Sequence, residues 1–172
     1  MSCDIEPSDS LGPHIVGRAE TLLDDGWDML IAHPPCTYLA LSGVRWLHER
    51  PERWDEMQQA ALLFRRFLDA AIPRIAVVNP IMHRHAVEAA GIGPPTCKVQ
   101  PWQFGHPETK ETWFWLRGLQ PLSPTCVVRG RVAKVHLSPP SPDRGYQRSL
   151  TPQGMAEAIA DQWGDTAAQT LF

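Results

Sequence analysis

Cysteine is scarce in this 172-residue chain, and the four present, Cys3, Cys36, Cys97 and Cys126, form no CxxC pair. That spacing excludes a zinc ribbon or a thioredoxin-like redox pair. His33, His83, His85 and His106 have no carboxylate or cysteine at ligand spacing, so no metal is expected. An excess of either charge is lacking too: the formal net charge is −3 with 20% charged residues. A strongly basic coat for nucleic acid is thereby excluded, although a local basic stripe can still bind phosphates. No apolar run approaches the roughly 20 residues of a membrane span, and no leader pattern opens the chain. A cytoplasmic location with reduced thiols, and no membrane partner, is therefore expected. No internal repeat is present.

Proline and tryptophan, by contrast, are plentiful, with 17 and 7 residues. The apolar share of 43% suits a chain with a real core, and the length suits a single domain over residues 1–172. Tryptophan is expected mainly in that core, with some available to stack on bases at an interface.

The prolines punctuate the chain. Residues 28–32 form an apolar run that stops at Pro34-Pro35, which reads as a buried strand. Pro51 precedes a segment, residues 52–71, whose apolar positions Met57, Ala61, Leu62, Phe64 and Leu68 give a helix with one buried face. Pro73 ends it, and residues 74–78 form a second apolar run, again stopped by proline at Pro80. Residues 14–23 suggest a short strand and a helical turn, and residues 82–90 a helix ending at Gly91. Residues 98–104 and 112–116 read as strands joined by a polar turn, residues 124–136 as an extended basic segment, and residues 137–143 as a proline-rich loop. Thr151 before Pro152 sets the start of a last helix through Trp163. Alternating strands and helices predict an α/β fold, a mostly parallel sheet with helices on both faces. Ligands bind such sheets beyond the carboxyl ends of the strands. Two of those ends carry His33-Pro34-Pro35-Cys36-Thr37 and Asn79-Pro80.

These residues resemble a known family. HPPCTYLALSGVRWL, VNPIMH, QPWQFGHPETKETWFWL and SPPSPDRGYQRSLTPQGMAEAIADQWG are similar to stretches of small phage- and prophage-type cytosine-C5 DNA methyltransferases, over residues 2–164. The resemblance implies a Rossmann-like methyltransferase fold in which the Cys36 thiolate adds to C6 of a flipped cytosine. C5 then takes a methyl group from S-adenosylmethionine. A thiolate is needed because a neutral thiol is a poor nucleophile. The resemblance also puts Pro35, Thr37, Asn79 and Gln103 at the substrate and Asp4 at the ribose of the cofactor. Bland readings stand beside these: Asp4 as a surface turn residue, Asn79 as a turn former before Pro80, and Cys36 as an inert cysteine.

The chain departs from the family pattern at three places. The first strand and its glycine-rich turn, which cradle the cofactor, have no counterpart. Arg18 stands where an acidic residue is usual, and Val78 replaces the Glu of the Glu-Asn-Pro triplet. Loss of one electrostatic stabiliser often costs on the order of 10²–10³ in rate, so impaired methyl transfer is expected. Arg129, Arg131, Lys134, Arg144 and Arg148 make the segment 127–149 the candidate DNA surface, with a solvated basic loop as the alternative. Three readings remain: a DNA cytosine methyltransferase, a non-catalytic nucleic-acid- or nucleotide-binding protein, and a half-enzyme completed by a second chain or a second copy that supplies the missing strand.

Overall fold

A computed structural model describes residues 1–9, 11–137, 139, 141 and 144–164. Among the described residues six short strands form two sheets. The first two, β1 (Ser2–Asp4) and β2 (His14–Val16), pair in parallel. The others form a four-stranded sheet in the order β3 (Met29–Ala32), β4 (Arg74–Pro80), β6 (Thr112–Arg117), β5 (Cys97–Val99).

This sheet is mixed, which corrects the expectation of a mostly parallel one. Its one parallel pairing is β3 with β4; β6 is antiparallel to both of its neighbours, β4 and β5. The reason lies in the connection. A parallel return needs a crossover of a dozen or more residues, usually a helix. The segment between β5 and β6 holds only the 3-10 turn Pro101–Gln103 and a polar loop. The expected strand over residues 98–104 stops at Val99, because Gln100 and Gln103 cap a turn that Pro101 opens. The expected extended segment at 124–136 makes only the single bridges Phe104–Cys126 and Glu108–Val132 before α5 (Lys134–Leu137). Of the proline-rich loop, residues 138, 140, 142 and 143 lie outside the described residues.

Strand β4 is the centre. Its residues Ile75 to Asn79 are all buried, and they alternate between two cores. Ile75 and Val77 face the first, built on Met57, Phe64 and Phe67 of α3 (Arg53–Asp69) and Ala86 and Ala90 of α4 (Arg84–Ala90). Ala76 and Val78 face the second, with Phe114 and with Met155, Ala158 and Trp163 of α7 (Gln153–Gly164). Helices thus cover both faces, as expected. The tryptophans mostly serve packing: Trp115 meets Phe64 edge-on with ring centres 5.0 Å apart, and Trp163 meets Phe114 at 5.9 Å.

Two local devices lock this arrangement. Arg117, at the end of β6, donates to the carbonyls of Leu68, Ala70 and Ile72, and so seals the end of α3. At Gly154, α7 passes so close to the Phe104 carbonyl that an added Cβ would overlap its oxygen. Gly154→Ala should therefore force α7 off the sheet and lose about 1–3 kcal/mol of stability. Urea denaturation reads this directly, and an unchanged midpoint would mean that α7 is free to shift.

Candidate functional site

The carboxyl ends of β3 and β4 are neighbours by register, since Ala32 pairs with Val77. Cys36 opens the short helix α1 (Cys36–Leu39) just beyond β3, and Asn79 is the last residue but one of β4. The loops after these strands are stitched together. The Leu41 N–H donates to the Ile81 carbonyl (2.7 Å) and the His83 N–H to that of Leu39 (3.1 Å). The His83 ring completes the stitch: Nε2–H donates to the Tyr38 carbonyl (2.9 Å), and Nδ1 accepts from the Ala86 N–H (3.0 Å). Arg53 holds the Thr37 carbonyl at 2.9 Å, and Gly43 passes it so closely that a Cβ would lie 2.8 Å away. The turn that carries Cys36 is thus pinned on both sides. The thiol is half-buried and unpaired with any other cysteine.

Asn79 is the anomaly. It is 1% exposed, and neither its amide nitrogen nor its oxygen has a partner. Leaving buried polar groups unpaired costs about 1–3 kcal/mol each, so a folded chain keeps such a residue only with a reason. A planar ligand offering both a donor and an acceptor would satisfy it.

The antiparallel β6 brings a group that the sequence did not reveal. Pro80 pairs with Thr112, so the turn preceding β6 lies at the same end as Asn79. Lys110 on that turn is half-buried and donates to the Leu150 carbonyl at 2.8 Å. Burial pulls its ammonium below the ordinary lysine range, and the charge of Cys36 opposes that pull. Partial desolvation, then the Lys110 charge, holds the His33 ring toward its neutral form, although His33 as a residue stays exposed. Arg148 reaches Ser42, in the turn after α1, at 3.5 Å. Lys110 thus lies within electrostatic reach of Cys36. No local sequence signal marks Lys110, because only the register of β6 places it there.

The other sequence-derived candidates divide. Pro35 and Thr37 flank Cys36 and are exposed. Gln103 uses its side-chain oxygen on the Gln100 N–H (2.6 Å), inside its own turn. The basic segment falls into two parts. Arg131 stacks on Trp102 (3.7 Å) and bonds the Val128 and Gly130 carbonyls, Lys134 pairs with Glu108 (3.1 Å), and Arg129 is exposed. Arg144 and Arg148 lie on α6 (Arg144–Ser149), which reaches Ser42 through Arg148 and Asp9 through Tyr146 (3.0 Å).

A cavity of about 680 Å³ near these strand ends includes neither Cys36 nor Asn79. It opens between β1 and β3 and is lined by Asp4, Arg18, Glu20, Trp27, Leu30 and Pro35 among others. Arg18 is turned onto Glu20 at 2.9 Å. Asp4 accepts from the Glu6 N–H at 3.1 Å. These residues by themselves do not fit S-adenosylmethionine: one carboxylate stands at the end of β1, and the middle of the site is a gap between two strand edges. Val78 is 6% exposed within the second core, so a Glu there would bury a carboxylate against Phe114.

No family model matches the chain, and no curated protein matches it. Among solved structures it is similar to an E. coli protein described as a "putative DNA modification methyltransferase encoded within prophage", at a TM-score of 0.42 and 15% identity. The alignment covers 74% of this chain and 42% of that one, so the chain spans less than half of that protein's length. A likeness this distant carries no weight for function, which the residues themselves must support.

Two outcomes test the site. Asn79→Leu removes the unpaired amide at similar volume. It should leave stability level or raise it by about 1 kcal/mol, whereas a loss above about 2 kcal/mol would mean that the amide is already paired. For His83, burial chiefly holds the ring below its ordinary value of about 6.5; the Tyr38 carbonyl opposes this and His85 adds to it. The unfolded chain then binds the extra proton, so stability is full above about pH 6.5 and falls as pH drops below it. His83→Asn keeps the cap on Ala86 and should flatten the pH 5–7 slope of the melting temperature. The same slope in both proteins would assign it elsewhere.

Proposed function

We propose that this chain is a cytosine-C5 DNA methyltransferase-like protein that supplies the base-binding and nucleophilic half of the site. Cys36 is its nucleophile. The observation that carries the reading is Asn79: a fully buried amide with no partner, on the strand next to the one that delivers Cys36. Cytosine offers an amino donor beside ring and carbonyl acceptors, which suits an amide. The base would have to leave its stack to enter.

In the proposed step the Cys36 sulfur forms a bond to C6 of the ring, and electron density moves toward C5 and N3. Lys110 lies close enough to the sulfur to interact with it by charge. Pro34 and Pro35 keep the approach rigid and remove backbone donors that would compete. Val78 supplies no carboxyl to N3, so addition is slow, and methyl transfer by the chain alone is impaired.

A second reading, a non-catalytic nucleic-acid- or nucleotide-binding protein, is favoured by one observation: Val78 is built into an apolar core and not into a site.

Trapping separates the two. A DNA strand carrying a 2-pyrimidinone base in place of cytosine accepts a thiolate at C6 without needing a methyl donor. The unmodified chain should give a shifted band on a denaturing gel, and Cys36→Ser should abolish it. Retained DNA binding without any trapped band would favour the binding reading, and equal trapping by both proteins would remove Cys36 from the chemistry.

A further inference from the structure

Val78 and Asn79 leave β4 toward opposite faces of the sheet. Val78 packs with Ala76 in the second core, so Asn79 continues the row of Ile75 and Val77 on the face of the first core. Helix α1, which begins at Cys36, packs on that same face through Leu39. The polar side chain that β4 turns toward the nucleophile is therefore the unpartnered amide. Its neighbours are already engaged. Trp113 lies opposite Asn79 in register and packs on the same face, and its Nε1–H donates to Glu111 (2.6 Å). The other Glu111 oxygen accepts from Gln100 (3.4 Å), and both ring nitrogens of His83 are bonded to backbone. The carboxyl that these contacts bring to this end thus has both oxygens occupied, and the amide is left to read a bound ring.

An amide offers donors and an acceptor but gives up no proton near neutral pH. It pairs equally well with two pyrimidines. With cytosine its N–H donates to N3 and its oxygen accepts from the amino group. With uracil its oxygen accepts from N3–H and its N–H donates to O4. Binding alone does not separate the two bases, and the difference arises once sulfur adds to C6. In cytosine the displaced electron pair runs to N3, a nitrogen that carries it poorly unless an acid protonates it. In uracil it runs to O4 as an enolate, where a hydrogen bond from the amide N–H is enough to stabilise it.

We propose that this site takes uracil in a nucleic-acid strand as well as cytosine, and that Cys36 adds to uracil the faster of the two. The proposal rests on the reading of Cys36 as nucleophile and adds the base it meets. The Cys36 thiolate forms a bond to C6, the C5–C6 π pair moves through C4 onto O4, and a solvent proton lands on C5. Loss of the original C5 proton to solvent and departure of the sulfur then restore the ring. Nothing is oxidised or reduced and no methyl donor is needed. In heavy water the product is uracil carrying deuterium at C5.

Hydrogen exchange at C5 tests this on the full chain. The probes are two single DNA strands of adenine, guanine and thymine, one with a single deoxyuridine and the other with a single deoxycytidine. They are held in heavy water, and mass spectrometry after return to ordinary water reads the deuterium left on carbon. Cys36→Ser supplies the background, including slow exchange at purine C8. Above that background, exchange should be about tenfold or more faster in the deoxyuridine strand, because only that adduct is stabilised by the donor present. Asn79→Asp sets a buried carboxyl, kept protonated by its burial, beside the ring. It can give N3 a proton, so the preference should reverse toward deoxycytidine. Asn79→Leu keeps the volume and should bring deoxyuridine exchange down to the deoxycytidine level. Equal or faster exchange of deoxycytidine by the unmodified chain would overturn the uracil preference while keeping Cys36 as nucleophile. A deoxyuridine preference that survives Asn79→Leu would overturn the role of the amide. No exchange in either strand would also overturn the proposal, and the 2-pyrimidinone trap then tells whether Cys36 falls with it.

Discussion

A strand buried on both faces must find backbone partners on both edges, and β4 is that strand here. From Ile75 to Asn79 nothing reaches solvent, so every N–H and C=O has to be met within the sheet. One edge is met by β3 running alongside, the other by β6 running back. Because the two neighbours run in opposite senses, the end of β3 and the start of β6 meet at one place. That place is the carboxyl end of β4, where Asn79 lies. The thiol arrives from one side and the ammonium of Lys110 from the other. Had β6 been parallel, its preceding turn would have been at the far end of the sheet.

The packing around this end is rigid where chemistry would need it and polar where an apolar core would be cheaper. The turn bearing Cys36 is tied to the turn after β4 by three hydrogen bonds, one of them through a buried imidazole. Next to this tight construction stands an amide with unmet hydrogen-bonding capacity. The tight bonding on one side of this end and the unmet amide on the other are the two features on which the proposed role of Asn79 rests.

How much of this was legible in the sequence depends on which rules are local. Proline-bounded apolar runs marked β3 and β4, and the 3.6-residue spacing marked α3; both depend on residues close in sequence. The proline after each run also placed Cys36 and Asn79 at strand ends. The direction of β6 was not legible, because it depends on which partner a strand finds and not on its own pattern. Lys110 was missed for the same reason. The side taken by Val78 depends on the phase of alternation along β4, which becomes readable only once Ile75 and Val77 are seen against α3. The basic segment read as one stripe, but Arg131 and Lys134 bond locally to the loop that carries Trp102 and Glu108, while Arg148 reaches over to Ser42.

Arg117 carries a consequence for how the chain is made. It closes the last turn of α3 by bonding carbonyls 45 to 49 residues earlier in the sequence. Until β6 has left the ribosome, those carbonyls lack the guanidinium that gathers them, and β4 lacks one of its two neighbours. The nascent chain up to residue 111 therefore has an unsealed helix and an open central strand, the sort of surface that chaperones hold. Long-range closures of this kind slow folding, since loop entropy is lost before the contact forms. One side chain thus couples helix completion to sheet completion, and makes the assembly of this half of the molecule a late, all-at-once event in synthesis.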